Sequence, residues 1–137
     1  MKIAVFIFVF LACNVCFAGD MTVSTQNEID HLFTFIKSSD CMFYRNGKWY
    51  PARDAADHID KKYRYLLKRG KISSVEKFID LAATKSSMSR KKYKVKCGKS
   101  NEIASSVWLY KELSEYRFGK NFKKSLSPNP RKKFIDG

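Results

Sequence analysis

Residues 41–50 read CMFYRNGKWY, two aromatic-rich runs on either side of Asn46-Gly47. Both residues of that dipeptide reach positive φ cheaply, as a two-residue type I′ turn requires. Cys41, Met42, Phe43 and Tyr44 before it, and Trp49 and Tyr50 after it, are types that pack on a pleated surface. The stretch predicts a tight β-hairpin with Arg45 and Lys48 flanking its turn. Cys41 also makes it a covalent anchor, for the reason that follows from the N-terminus.

The chain opens MKIAVFIFVFLACNVCFA: one Lys, an apolar run and a small residue at Ala18. This is the pattern of a secretory signal peptide over 1–18, with cleavage after Ala18. The apolar run is too short to span a bilayer. The residues before Cys13 and Cys16 fit a lipid-attachment motif poorly. Removing 18 residues from 137 leaves 119, suited to one domain. Losing Lys2 takes the formal net charge from +14 to +13. Such a charge biases encounters toward anionic partners, without naming one. The expected localisation is periplasmic or secreted, with no transmembrane segment after cleavage.

Two cysteines then remain, Cys41 and Cys97, 56 positions apart. In an oxidising compartment a lone pair becomes a disulfide. With no second pair and two mature histidines, His31 and His58, the chain offers no structural zinc site, and nothing in it calls for a cofactor.

Around the hairpin the chain reads mainly as helix. Thr25 to Glu28 fits a capping box, followed by Ile29, Leu32, Phe33 and Ile36 at helical spacing to about Lys37. His31 lies roughly 200° from Ile29, on the polar face. Ala52 to Arg69 forms the longest helix, with Ala55, Ile59, Tyr63 and Leu66 on one face and Gly70 placed as its left-handed cap. A second box, Ser73 to Glu76, opens a helix through Phe78, Ile79, Ala82 and Ala83. Thr84 to Ser89 is a hydroxyl-rich loop. Lys92 to Cys97 alternates Tyr93, Val95 and Cys97 with lysines and reads as a half-buried strand. After Gly98, Asn101 or Ser105 caps a last helix ending near Arg117. From Phe118 no periodicity is visible, and residues 118–137 read as a disordered basic tail. No internal repeat is present.

The order Phe43-x-Arg45-Asn46-Gly47, Ala55-Ala56-x-His58, Ile72-x-Ser74-x-Glu76-x-Phe78-Ile79, Ala83-x-x-Ser86-Ser87-x-Ser89 and Tyr93-x-Val95 resembles domain of unknown function 5329. These are small exported bacterial proteins, sometimes called YfeK-like. The likeness covers roughly residues 28–113. It implies a periplasmic protein and carries over no catalytic residue. One departure is Arg90, where the pattern leads one to expect Gly. If that position needs positive φ, Arg90 is strained.

The fold expected is α+β: a small single domain over 19–117, ordered helix, β-hairpin, helix, helix, strand, helix. A short antiparallel sheet, covered by helices on one face, carries a Cys41–Cys97 disulfide.

The candidate chemistry divides in three. A non-catalytic binding or accessory role for an anionic envelope polymer or lipid, or for a protein partner, rests on Arg45, Lys48, Trp49 and Arg53 beside the hairpin aromatics. The tail residues Lys120, Lys123, Lys124, Arg131, Lys132 and Lys133 add charge, with Phe122, Leu126 and Phe134 as apolar contacts. A hydrolase would use His58 with Asp54 one turn earlier, or with Ser87 in the serine loop. No nucleophile elbow or activating pair accompanies those serines, whose hydroxyls suit backbone capping instead. Nucleic-acid binding through the basic tail rests on charge alone. The binding role is the leading expectation.

Overall fold

Asn46 and Gly47 both sit at positive φ, 49° and 89°, closing the hairpin by the turn their types favour. The structure is a computed structural model and describes residues 21–127. Residues 1–20, with the signal-peptide reading, and 128–137, with Arg131, Lys132 and Lys133, lie outside the described residues. The hairpin strands are β1 (Cys41–Arg45) and β2 (Lys48–Pro51), with Phe43 opposite Tyr50 and Tyr44 opposite Trp49. Strand β3 (Lys94–Cys97) pairs antiparallel with the other edge of β1, placing Cys41 directly across from Cys97. Their Cα atoms are 4.1 Å apart and the disulfide is formed.

Period-two geometry splits the sheet. Cys41, Phe43 and Val95 point into the core, whereas Met42, Tyr44 and Trp49 lie on the other face. Helices α2 (Ala52–Lys68) and α4 (Ser105–Leu126) pack on the sheet, and α1 (Val23–Ser38) packs against both of these helices. A fourth, α3 (Val75–Ala82), spans eight residues and buries Val75, Phe78, Ile79 and Ala82 almost completely. The core joins these to Ile29, Leu32 and Ile36 of α1, Ile59 and Tyr63 of α2, and Leu109 and Leu113 of α4. The α+β expectation therefore holds, down to the end of α2. There Gly70 lies at φ 64°, its N–H donating to the Leu67 carbonyl and that of Lys71 to Leu66, which is a Schellman cap.

Several local expectations are corrected. Helix α1 starts three residues before the Thr25 box, because the Thr22 hydroxyl already accepts from the Thr25 N–H. The cap of α3 is Ser74, which accepts from the Lys77 N–H, so the Ser73 frame is displaced by one. β3 is shorter than Lys92–Cys97, since Lys92 instead bridges Lys85. A two-residue strand, β4 (Ile103–Ala104), completes the sheet order β2-β1-β3-β4. Ala104 thus becomes the N-cap of α4, and the Ser105 hydroxyl turns inward to the Ala83 carbonyl at 2.6 Å.

The largest correction is at Phe118, where a structureless tail was expected. Helix α4 runs on to Leu126. The physical reason is propagation: once Leu109 and Leu113 are packed, each further residue adds a hydrogen bond without a new nucleation cost. Gly119 is the weakest helix former in that extension, and Pro128 comes only after it. Arg90 does adopt φ 63°, a left-handed conformation that costs an ordinary side chain about 1 kcal/mol or more.

Candidate functional site: a cationic, aromatic cleft

Arg45 is the last residue of β1 and faces the same side as Phe43, so it emerges at the edge of the core against α2. His58 stands on α2 between the buried Ala55 and Ile59, at the rim. Tyr93, immediately before β3, is buried beside both. The Arg45 guanidinium hydrogen-bonds His58 Nδ1, and His58 Nε2 lies 3.2 Å from the Tyr93 hydroxyl. A guanidinium can only donate. Nδ1 is therefore the acceptor and the ring proton sits on Nε2, directed at Tyr93. Burial is the leading cause of a lowered His58 pKa, followed by the charges of Arg45, Lys62 and Lys61. His58 is a neutral imidazole at neutral pH.

That state carries a sign for stability. The folded pKa lies below the unfolded value of 6.5, so above about 6.5 both states are neutral and the contribution is intact. As pH falls below it, the unfolded chain takes up the proton first, and stability declines until the folded pKa is passed. Urea midpoints at pH 7.5 and pH 5.5 should show this loss in the wild type and a smaller one in His58→Gln. Equal losses in the two proteins would refute it.

Other groups complete the cleft. Arg45 lies over the Tyr50 ring, 4.7 Å from its centroid, and is the main cause holding that phenol below its usual pKa. Lys62 extends over the Tyr93 ring and donates to the Lys85 carbonyl at 2.6 Å; burial, then Lys85, lowers its pKa. Burial raises the Tyr93 phenol in turn. The inner, apolar part of the cleft, floored by Phe43, Ile59 and Ala83, holds about 30 Å³, room for one small group. It opens to a groove of about 550 Å³ bounded by Lys61, Lys62 and the serine loop.

The serine loop is tied down rather than poised for attack. The Ser86 hydroxyl accepts from Asn46 Nδ2 at 3.4 Å and from the Ser89 N–H at 3.3 Å, while Ser89 donates to Asn46 Oδ1 at 2.6 Å. Ser87 lines the groove and makes no hydrogen bond to His58 among the described residues. Asp54 lines the inner cleft, yet the two ring nitrogens of His58 are engaged by Arg45 and Tyr93. No group of three or more metal-ligating side chains occurs among the described residues.

The remaining sequence candidates are dispersed. Lys48 stays near Arg45, 5.4 Å from the Tyr50 centroid. Trp49 packs on Tyr44 on the opposite sheet face, next to Met42 and Lys96. Arg53 faces a groove with Thr34 and Asp57 between α1 and α2. Lys120, Lys123 and Lys124 lie on the α4 extension. His31, read from the sequence as solvent-facing, is half-buried: it stacks on Tyr116 at 3.9 Å and bonds Glu112 at 2.6 Å. Its polar face is covered by α4, which helical periodicity in α1 cannot reveal. Glu28 and Glu76, read as capping partners, instead share Arg117 at 2.8–2.9 Å, tying α1 and α3 to α4. Arg117 is the first cause holding the Glu76 carboxyl below its usual range.

Tyr93 and Lys62 are the cleft residues that sequence reasoning missed. Tyr93 was read as a strand position and as part of the family pattern, and Lys62 was not singled out. A family model matches residues 23–117, described as a family of unknown function, DUF5329. No curated protein and no solved structure matches the chain.

Proposed function

The chain belongs to the DUF5329 family, which brings no assigned activity, and from the site we propose a non-catalytic, exported accessory protein whose cleft captures an anionic group of an envelope polymer. The observation that carries this reading is the state of Arg45. Its guanidinium is held against a neutral imidazole and a phenol ring, and no carboxylate forms an ion pair with it among the described residues. Lys61 and Lys62 reinforce the same sign at the mouth. A planar fork of N–H donors suits a carboxylate or phosphate, and the half-buried Tyr50 ring beside it adds apolar surface at the mouth.

Export is supported by the signal-like N-terminus and agrees with a formed disulfide. Among the described residues no helix is long and apolar enough to cross a membrane. A hydrolase reading would need His58 to activate a hydroxyl or water, and its ring nitrogens are instead occupied by Arg45 and Tyr93.

The test is calorimetric titration of the oxidised protein with a disaccharide–peptide fragment of peptidoglycan, with lipopolysaccharide and with inorganic phosphate. At least one should bind, and Arg45→Ala should weaken it about tenfold or more, the usual range for a charge-assisted contact. Arg45→Lys should recover only part, since an ammonium lacks the fork. No binding by the wild type, or equal binding by Arg45→Ala, overturns the reading. Breakdown of the bound fragment on incubation would replace it with the hydrolase.

A further inference from the structure

Helix α4 reverses its polarity partway along, and the reversal has a geometric consequence. With about 100° per residue, Ser105, Leu109 and Leu113 share one side of the helix, and all three are buried in the domain. Between Arg117 and the end of α4 the apolar residues are Phe118, Phe122 and Leu126, spaced four apart along an arc of roughly 80°. That arc is centred on nearly the opposite side from Leu109 and Leu113. All three are solvent-exposed, at 74%, 57% and 67%. Lys120, Lys123 and Lys124 fall on the other half of the turn, roughly 100° or more from the arc's centre.

The extension is thus not surplus core. Its apolar side points away from the domain, so no rearrangement of Leu109 and Leu113 would bury it. It also lies outside the family match, which ends at residue 117. A short amphipathic helix with Phe and Leu on one side and Lys on the other fits a water–lipid boundary, where the rings enter the acyl region and the ammonium groups meet anionic headgroups. The chain's formal net charge of +14 acts in the same direction at longer range.

We propose that Phe118–Leu126 of α4 docks the protein onto an anionic lipid surface, lying in the headgroup plane. The occupant is lipid because the chain is strongly cationic: a second copy would bring the same net charge, whereas an anionic surface attracts it. The site is separate from the Arg45 cleft, so either can fail without the other.

The experiment is vesicle flotation of the oxidised protein, signal peptide removed and C-terminus intact. Vesicles of phosphatidylethanolamine with phosphatidylglycerol are compared with phosphatidylcholine alone. The wild type should float with the anionic vesicles and largely remain behind with the neutral ones. Phe118→Ser/Phe122→Ser should reduce partitioning about tenfold or more while leaving the thermal unfolding midpoint unchanged, since both rings are exposed. Lys120→Gln/Lys123→Gln/Lys124→Gln should lower binding to anionic vesicles and flatten its salt dependence. Failure of the wild type to float, or equal flotation of the Phe variant, overturns the proposal. So does sedimentation showing a dimer that the Phe variant dissociates, because the stripe would then be a protein interface.

Discussion

Replacing Phe78 by Ala is expected to lower the unfolding free energy by about 3–5 kcal/mol, the cost of removing a fully buried ring and leaving space behind it. Phe78 has no exposed surface and sits between Phe33 at 5.2 Å and Tyr63 at 5.4 Å, where α1, α2 and α3 meet. Helix α3 has eight residues, too few to hold its conformation in isolation, so its order depends on this face. For a domain with about 5–15 kcal/mol in total, the loss is about a fifth or more of its stability. Urea unfolding measures it directly, with Phe122→Ala as a control expected to change stability by less than about 0.5 kcal/mol. A loss below about 1.5 kcal/mol would mean that the neighbouring rings collapse into the space, contradicting a rigid aromatic junction.

The second large effect is expected from the disulfide. Its loop of 56 positions corresponds, by chain entropy, to about 4 kcal/mol of denatured-state restriction. Cys41→Ala/Cys97→Ala should lose about that amount, plus a small packing deficit because Cys41 is buried. At roughly 4 °C or more per kcal/mol for a domain of this size, the melting midpoint should fall by roughly 15 °C. Dithiothreitol should bring the wild type to the same midpoint. If neither treatment moves it, the reduced chain must already keep β1 and β3 together, and the cross-link adds nothing. The comparison also bears on the proposed function: Arg45 leaves β1 and Tyr93 precedes β3, so loosening their pairing should weaken the binding proposed for the cleft along with stability.

These two features differ in how they could be read. The cysteine pair was legible because it depended on counting residues and on the compartment implied by the N-terminus. The hairpin was legible because Asn46-Gly47 has few other uses, and the end of α2 because Gly70 supplies a left-handed cap. The helix starts were harder. Thr22 competes with Thr25, and Ser74 with Ser73, and the choice between adjacent hydroxyls falls to whichever backbone N–H the packed helix presents. β4 was invisible: Ile103 and Ala104 have no pattern of their own and become a strand because β3 offers an edge. The extension of α4 was hidden because its apolar spacing is outward-facing and short, and because a basic composition resembles that of a solvated tail.

For this protein, then, local chemistry determined the hairpin and the helical segments, since turn, cap and periodicity signals act over a few residues, while the cysteine count set the covalent link and the order of elements the α+β class. Tertiary structure alone decided that Arg45, His58, Tyr93 and Lys62 share one cleft, that His31 lies under Tyr116, and that Arg117 joins Glu28 to Glu76. Each of these joins residues from separate elements, some of them tens of positions apart. Their proximity follows from the β1–β3 register and the packing of the helices on the sheet and on one another, and no residue's own propensity encodes that register.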